Sequence, residues 1–254
     1  MNQPPSAVNS AISVILVPQG AEYQAVRKEL SRIQNPIHSK IPKVIAIPIG
    51  SPGLIKYLQN LDKIAELRKQ LQPQILIMGL CGSLKEKYQI GDVVIYESCI
   101  YHQNLDSKLI REFDRNLTNN LENQLQLNYP QKISRVKGIT CDRIISSAQE
   151  KQHLAETNDV DVVDMEGFAI LDFFNSFFNS INVSVGMVRV VSDDSKHDLP
   201  DLNFAISPEG SLKTLPLALG MLRQPIAATR LIKGSLQGLK ILEQITTDLF
   251  QVKS

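Results

Sequence analysis

The chain has 254 residues, 43% of them apolar and 21% charged, with a formal net charge of +1. That length accommodates one large α/β domain or two small ones around a packed core. A charge near zero without a basic tract gives no field for steering nucleic acid, and no apolar run is long enough to span a bilayer.

Residues 12–17 read as a short buried strand, ended by Pro18-Gln19-Gly20. Residues 21–30 have helical periodicity, with Ala25, Val26 and Leu30 on one side. A second strand over 44–49 breaks at Gly50-Ser51-Pro52-Gly53, and residues 54–71 read as one helix. Strands follow at 75–80 and 93–96, a polar helix at 111–127, a strand at 136–140 and a helix at 148–156. Residues 160–163 form a strand that passes at once into a helix over 165–178, and 183–191 is the last strong strand. A polar loop over 194–211 leads to two helices, 212–222 and 226–250, separated by Pro225. Strands that are continuous Val/Ile/Leu runs, alternating with helices, predict a mostly parallel sheet covered on both faces. No linker or repeat divides the chain, so one domain over 1–254 is expected, with 212–254 a helical extension.

Residues 1–10 are polar and lack the positive and apolar regions of a signal peptide. The cysteines Cys81, Cys99 and Cys141 are odd in number and form no CxxC pair, and the four histidines show no ligand spacing. Reduced thiols in a cytoplasmic protein, with no metal and no cofactor, are the expectation.

Four stretches carry possible chemistry. Gly79-Leu80-Cys81-Gly82-Ser83-Leu84 closes a buried strand with glycines that let backbone approach a ligand. It is neither a dinucleotide fingerprint nor a phosphate loop, and a plain turn explains it equally well. Glu22 opens a helix, where it either favours the dipole or serves as a general base. Glu166 opens an otherwise apolar helix and needs partners, since an unpaired buried carboxylate costs several kcal/mol. Asp164 beside it suits a cap. Asp193 ends a buried strand after Ser192; it reads either as a turn cap or as a general acid with Asp194 as a like-charged neighbour.

In this order the stretches resemble the nucleoside phosphorylase/nucleosidase superfamily, over residues 12–194. Its methylthioadenosine/S-adenosylhomocysteine nucleosidase branch has a strand running into a loop with a catalytic Glu, matched by Val17-Pro18-Gln19-Gly20-Ala21-Glu22. A Gly-x-x-Gly-x-Leu loop with a following Gly-Asp-Val-Val is matched by Gly79 to Leu84 and Gly91-Asp92-Val93-Val94. A Glu-Met-Glu-like motif is matched by Asp164-Met165-Glu166, and Arg-x-x-Ser-Asp by Arg189-Val190-Val191-Ser192-Asp193. The stretch from Cys141 to Lys151 and the C-terminal third resemble the hopanoid-associated phosphorylase-like branch.

The resemblance implies a three-layer α/β/α phosphorylase/hydrolase-like fold with a central mixed, mostly parallel sheet. It implies cleavage of a purine nucleoside's N-ribosidic bond, on a 5′-modified or adenosylhopane-type adenosine, in a homodimer. Asp193 then protonates the purine at N7 with Ser192 positioning it, Glu166 holds the ribose hydroxyls, Met165 packs on the sugar and Glu22 activates water. Arg189 lies near Glu22; Leu80, Cys81 and Gly82 line the site. The segment that usually stacks the purine on an aromatic side chain holds Arg143 and Ile144 instead. Phosphorylases of the family carry an Arg and a Ser or Thr where this chain has Ile77 and Leu80, which favours water over phosphate because an anion needs donors. A phosphate-dependent phosphorylase, with phosphate as co-substrate, and a non-catalytic nucleoside-binding protein remain alternatives. Residues 226–250 are either core-packing or a contact with a membrane surface or lipid substrate.

Overall fold

Side chains alternate between the two faces of a strand, and here both faces are apolar. A computed structural model describes residues 12–34, 36–37, 41–102, 109–129, 133–178, 182–207, 209–211 and 213–252. The strands are β1 (Val14–Pro18), β2 (Lys43–Ile47), β3 (Gln74–Ser83), β4 (Val93–Tyr101), β5 (Ile110–Glu112), β6 (Ile133–Thr140), β7 (Val162–Asp164) and β8 (Ser184–Asp193). The helices are α1 (Ala21–Leu30), α2 (Ser51–Gln59), α3 (Asp62–Leu67), α4 (Arg115–Gln126), α5 (Ala148–Asn158), α6 (Gly167–Phe177), α7 (Thr214–Arg223) and α8 (Pro225–Phe250). On β3, Ile75 and Ile77 pack with α2, α3 and α6, while Leu76 and Met78 pack with α1, α4 and α8. On β8, Met187 and Val191 face the first group and Val188 and Val190 the second.

The expected mixed, mostly parallel sheet between helical layers is present. β1 pairs in parallel with β2 and β3, β3 with β8, β4 with β6 and β6 with β7. β8 and β5 run antiparallel to β4. The sheet also curls back on itself, because β7 pairs antiparallel with the end of β3 at Gly82 and Ser83. That closure brings the carboxyl ends of β3, β7 and β8 together.

Several elements depart from the sequence reading. The helix expected over 54–71 is two helices. Asn60 caps α2 and donates its side-chain amide to the Lys56 carbonyl (2.8 Å), while Leu61 is extended before α3 starts. Such local side-chain bonds compete with the helical ladder. The helix expected from 111 starts at Arg115 instead: Asp114 accepts a hydrogen bond from the Leu117 N–H at 2.8 Å and so sets the cap. The residues before it form β5 on the edge of β4. The loop over 194–211 contains a short 3-10 turn, Asn203–Ala205. Residues 1–10 and Leu212, the expected first residue of α7, lie outside the described residues.

α8 is amphipathic in two different ways along its 26 residues. Its C-terminal half buries Leu242, Ile245 and Leu249, whereas Ile226, Ile232 and Leu236 of its N-terminal half are exposed. Among the described residues no helix is long and apolar enough to cross a membrane. Where α8 crosses the end of β8, Gly234 lies against the Ser192 carbonyl and Gly238 against the Leu80 side chain. A Cβ at 234 would collide with that backbone oxygen. Gly→Ala inside a helix ordinarily stabilises it by about 1 kcal/mol. Here Gly234→Ala is expected to destabilise the protein by about 1–3 kcal/mol, the usual scale of overpacking. Denaturant unfolding reads this directly, and a gain in stability contradicts the docking.

Candidate active site

The register of β3 on β8 sets Gly79 beside Arg189. Arg189 is in phase with Met187 and Val191, so its long side chain points into the layer that holds α6. It is 1% exposed. Its Nη2 donates to Glu166 Oε2 at 3.1 Å, and its Nη1 donates to the Leu80 carbonyl at 3.2 Å and lies 3.8 Å from Glu22 Oε1. Gly79 makes this approach possible: a Cβ there would sit 2.6 Å from the Glu22 carboxylate and collide with the guanidinium.

Glu166 is the residue that caps α6, and its Oε1 accepts the Gly50 N–H at 3.0 Å. Burial pushes its carboxyl above the usual range, against the pull of Arg189. Asp164, by contrast, is a structural cap. It accepts the Glu166 and Gly167 N–H groups (3.0 and 2.8 Å) and the Thr140 hydroxyl (2.8 Å). Glu22, in the first turn of α1, accepts the Leu80 N–H at 2.6 Å. Burial raises its pKa to about 7, Arg189 opposing and Glu166 reinforcing the rise. In turn, the three surrounding carboxylates hold the Arg189 guanidinium above its ordinary value although burial works against it.

A bulge ends β8. Cys81 pairs with Val191 and Gly82 with Asp193, leaving Ser192 as the extra residue. Bulges re-aim side chains beside functional sites. The Ser192 hydroxyl lies 3.0 Å from Asp193 Oδ2 and 3.2 Å from the Cys81 carbonyl. Gly82 leaves room for the Asp193 carboxylate, since a Cβ there would lie 2.9 Å from Oδ1. The charge nearest Asp193 is not the expected Asp194, which pairs with His197 at 2.9 Å. It is Lys151 of α5, fully buried, which ion-pairs with Asp193 Oδ1 and donates to the Asp194 carbonyl at 2.7 Å. Sequence reasoning missed Lys151. The available signal was its spacing to Leu154 and Ala155, which places a charge on the apolar face of α5.

These groups surround a cavity of about 290 Å³, and every candidate residue lines it: Glu22, Leu80, Cys81, Gly82, Arg143, Ile144, Met165, Glu166, Arg189, Ser192 and Asp193. Leu199, Leu202 and Ile206 of the 194–211 loop and Leu231 of α8 add an apolar wall that sequence reasoning did not assign. Asn203 ties that loop to Ile144, accepting its N–H at 2.7 Å and donating to its carbonyl at 3.0 Å. Arg143, half exposed, pairs with Glu150. The arrangement offers a high-pKa carboxylate, a second carboxylate clamped to a buried cation, and a third on a buried ammonium, all around one space with polar and apolar walls.

The family model of the phosphorylase superfamily matches residues 63–207. No functionally curated protein matches the chain by sequence. Among solved structures, a 5′-methylthioadenosine/S-adenosylhomocysteine nucleosidase from Helicobacter pylori, bound to butyl-thio-DADMe-Immucillin-A, superimposes with a TM-score of 0.63 at 15% identity, covering 94% of this chain and 100% of that one. The futalosine hydrolase of Helicobacter pylori gives 0.62 at 16% identity, covering 93% and 97%. The Campylobacter jejuni 5′-methylthioadenosine/S-adenosylhomocysteine nucleosidase gives 0.58 at 14% identity, covering 92% and 100%.

The raised Glu22 carboxyl has a consequence for stability. Below pH 4.5 both folded and unfolded chains hold the proton; between 4.5 and about 7 only the folded chain does, so its stability falls as pH rises. Replacing Glu22 with Gln removes this dependence. The gain of Glu22→Gln over wild type is expected to grow across that interval to about 3 kcal/mol. Urea unfolding at pH 4.5 and pH 8 tests it; an equal difference at both contradicts the burial of a titrating carboxyl.

Proposed function

The chain belongs to the phosphorylase superfamily, and on that premise we propose that it cleaves the N-ribosidic bond of an adenine nucleoside by hydrolysis. The observation that carries the reading is the division of labour among three carboxylates around one cavity, each with a different partner. Cleavage passes through an oxocarbenium-like sugar, so one group must protonate the leaving base and another must handle water. Asp193, held by Ser192, delivers the proton to purine N7. Glu166 keeps free lone pairs beside its bonds to Arg189 and Gly50, and these accept the ribose hydroxyls. Met165 packs on the sugar, while Arg143 and Ile144 flank the base. Glu22 takes the proton of the water whose oxygen bonds to C1′; a carboxyl with pKa about 7 suits a general base near neutrality.

Water is favoured over phosphate as nucleophile. Phosphate needs several donors converging on it, and most donors here already have partners, the buried Arg189 Nε excepted. The Leu80 N–H is bonded to Glu22, Arg189 is committed to Glu166 and Leu80, and Arg143 is paired with Glu150. Ile77 is in the core, fully buried. The similar structures named as a nucleosidase and as a hydrolase agree with this reading.

The apolar wall of Leu199, Leu202, Ile206 and Leu231 suits an apolar 5′ substituent, such as that of an adenosylhopane-type nucleoside. α7 and α8 favour the companion proposal of contact with an anionic lipid surface. Leu215, Leu219, Leu222, Ile226, Ile232 and Leu236 are exposed there. Lys213, Arg223, Arg230, Lys233 and Lys240 accompany them, and no acidic residue occurs from 211 to 242. Apolar side chains ringed by cations bind anionic membranes.

Adenosine, inosine, methylthioadenosine and a lipid-linked adenosine, scored by release of free base, test the catalytic reading. Asp193→Asn and Glu166→Gln are expected to fold but lose at least about 100-fold in turnover, and wild-type turnover to fall as pH drops below about 7. Free base from none of the four nucleosides defeats the reading. For the surface, phosphatidylglycerol vesicles are expected to sediment the wild type but not Leu219→Ser/Leu222→Ser/Ile226→Ser. Equal, negligible binding by both, or dimerisation through this face, defeats the lipid contact.

A further inference from the structure

Asp193 cannot be a simple stored acid, because its nearest partner is a buried ammonium. Lys151 has no exposed surface. Among the described residues, its Nζ donates to Asp193 Oδ1 and the Asp194 carbonyl. A buried lysine is rare without a pairing role, and an apolar residue at this place on α5 would pack at least as well. Other charged groups around the pair have partners of their own. On β7, Asp164 is bonded to Thr140 and two backbone N–H groups. On β8, Arg189 is bonded to Glu166, and after it Asp194 pairs with His197. On α5, Glu150 pairs with Arg143. Cys81 of β3 is driven further toward the neutral thiol by burial. Lys151 is therefore the counter-ion of Asp193.

We propose that Lys151 is a positioning residue that supplies, through Asp193, the proton on which the leaving base departs. This rests on the reading of the chain as a nucleoside hydrolase. In the resting site the pair holds one transferable proton, on Nζ. As the C1′–N bond breaks, its electron pair goes to the base and N7 becomes strongly basic. The proton then passes from Nζ to the Asp193 carboxylate and on to N7, leaving Lys151 as a neutral amine. Water oxygen bonds to C1′ and its proton goes to Glu22. Return of one proton from Glu22 to Lys151 by way of solvent resets the site, so the reaction consumes only nucleoside and water. A lysine can give up a proton in such a place and an arginine cannot.

That asymmetry supplies the test. Release of adenine from the preferred nucleoside is followed from pH 5 to 9 for wild type, Lys151→Arg and Lys151→Met, with thermal melts to establish folding. Lys151→Gln, which keeps a donor to Asp193, serves as a second neutral variant. Lys151→Arg keeps the charge without the transferable proton, and is expected to lose at least about 100-fold in kcat at every pH with little change in KM. Lys151→Met and Lys151→Gln supply no such proton, and are expected to lose kcat with little change in KM and to show a pH profile no longer parallel to that of wild type. Profiles parallel to wild type in all folded variants overturn the role of Lys151 while leaving the hydrolase reading intact. A wild type silent on every nucleoside overturns both.

Discussion

One buried cation organises this molecule. Arg189 sits near the middle of the sheet among Glu166, Glu22 and the backbone of β3. Removing such a group leaves uncompensated buried carboxylates, a loss of about 3–5 kcal/mol. Much of the surrounding architecture follows from accommodating it. Gly79 lacks a Cβ where the guanidinium and Glu22 pass. The Gly50 turn offers its N–H to the second oxygen of Glu166, and the Leu80 N–H goes to Glu22. The Arg189 Nη groups and the Leu80 N–H are taken up by these partners, while Arg189 Nε has none among the described residues; the proposed chemistry uses a neutral nucleophile.

A second ion pair stands at the other end of the cavity. Lys151 and Asp193 are held by the bulge at Ser192 and by α5, and α8 closes over that bulge through Gly234. Helix α8 thus connects the cavity end of β8 to an exposed apolar and basic face. Its buried half fastens it to the sheet, and its exposed half lies next to the part that contributes Leu231 to the cavity wall.

What was legible in the sequence is what depends on local pattern. Continuous apolar runs marked the long strands, and acids at their ends made Glu166 and Asp193 candidates for one site; the family resemblance, not local pattern, added Glu22 and Arg189, and all four line one cavity. What was not legible depends on tertiary context. Lys151 is one charge among several on a polar-looking helix, and its burial follows from where the end of β8 lies. The break at Asn60 turns on one side-chain bond, and β5 exists because β4 offers an edge. Closure of the sheet rests on two residue pairs between β3 and β7 that no periodicity announces. Helix α8 reads as one amphipathic stripe, yet Ile232 and Leu236 within that stripe are exposed.

The claim that the committed donors around Arg189 leave water as the nucleophile is tested most directly by the fate of the sugar. Phosphorus and proton NMR of a complete reaction in phosphate buffer identify the ribosyl product alongside the released adenine. The account predicts free reducing sugar in equal amount to adenine and no sugar 1-phosphate. Sugar 1-phosphate formed in step with adenine contradicts it.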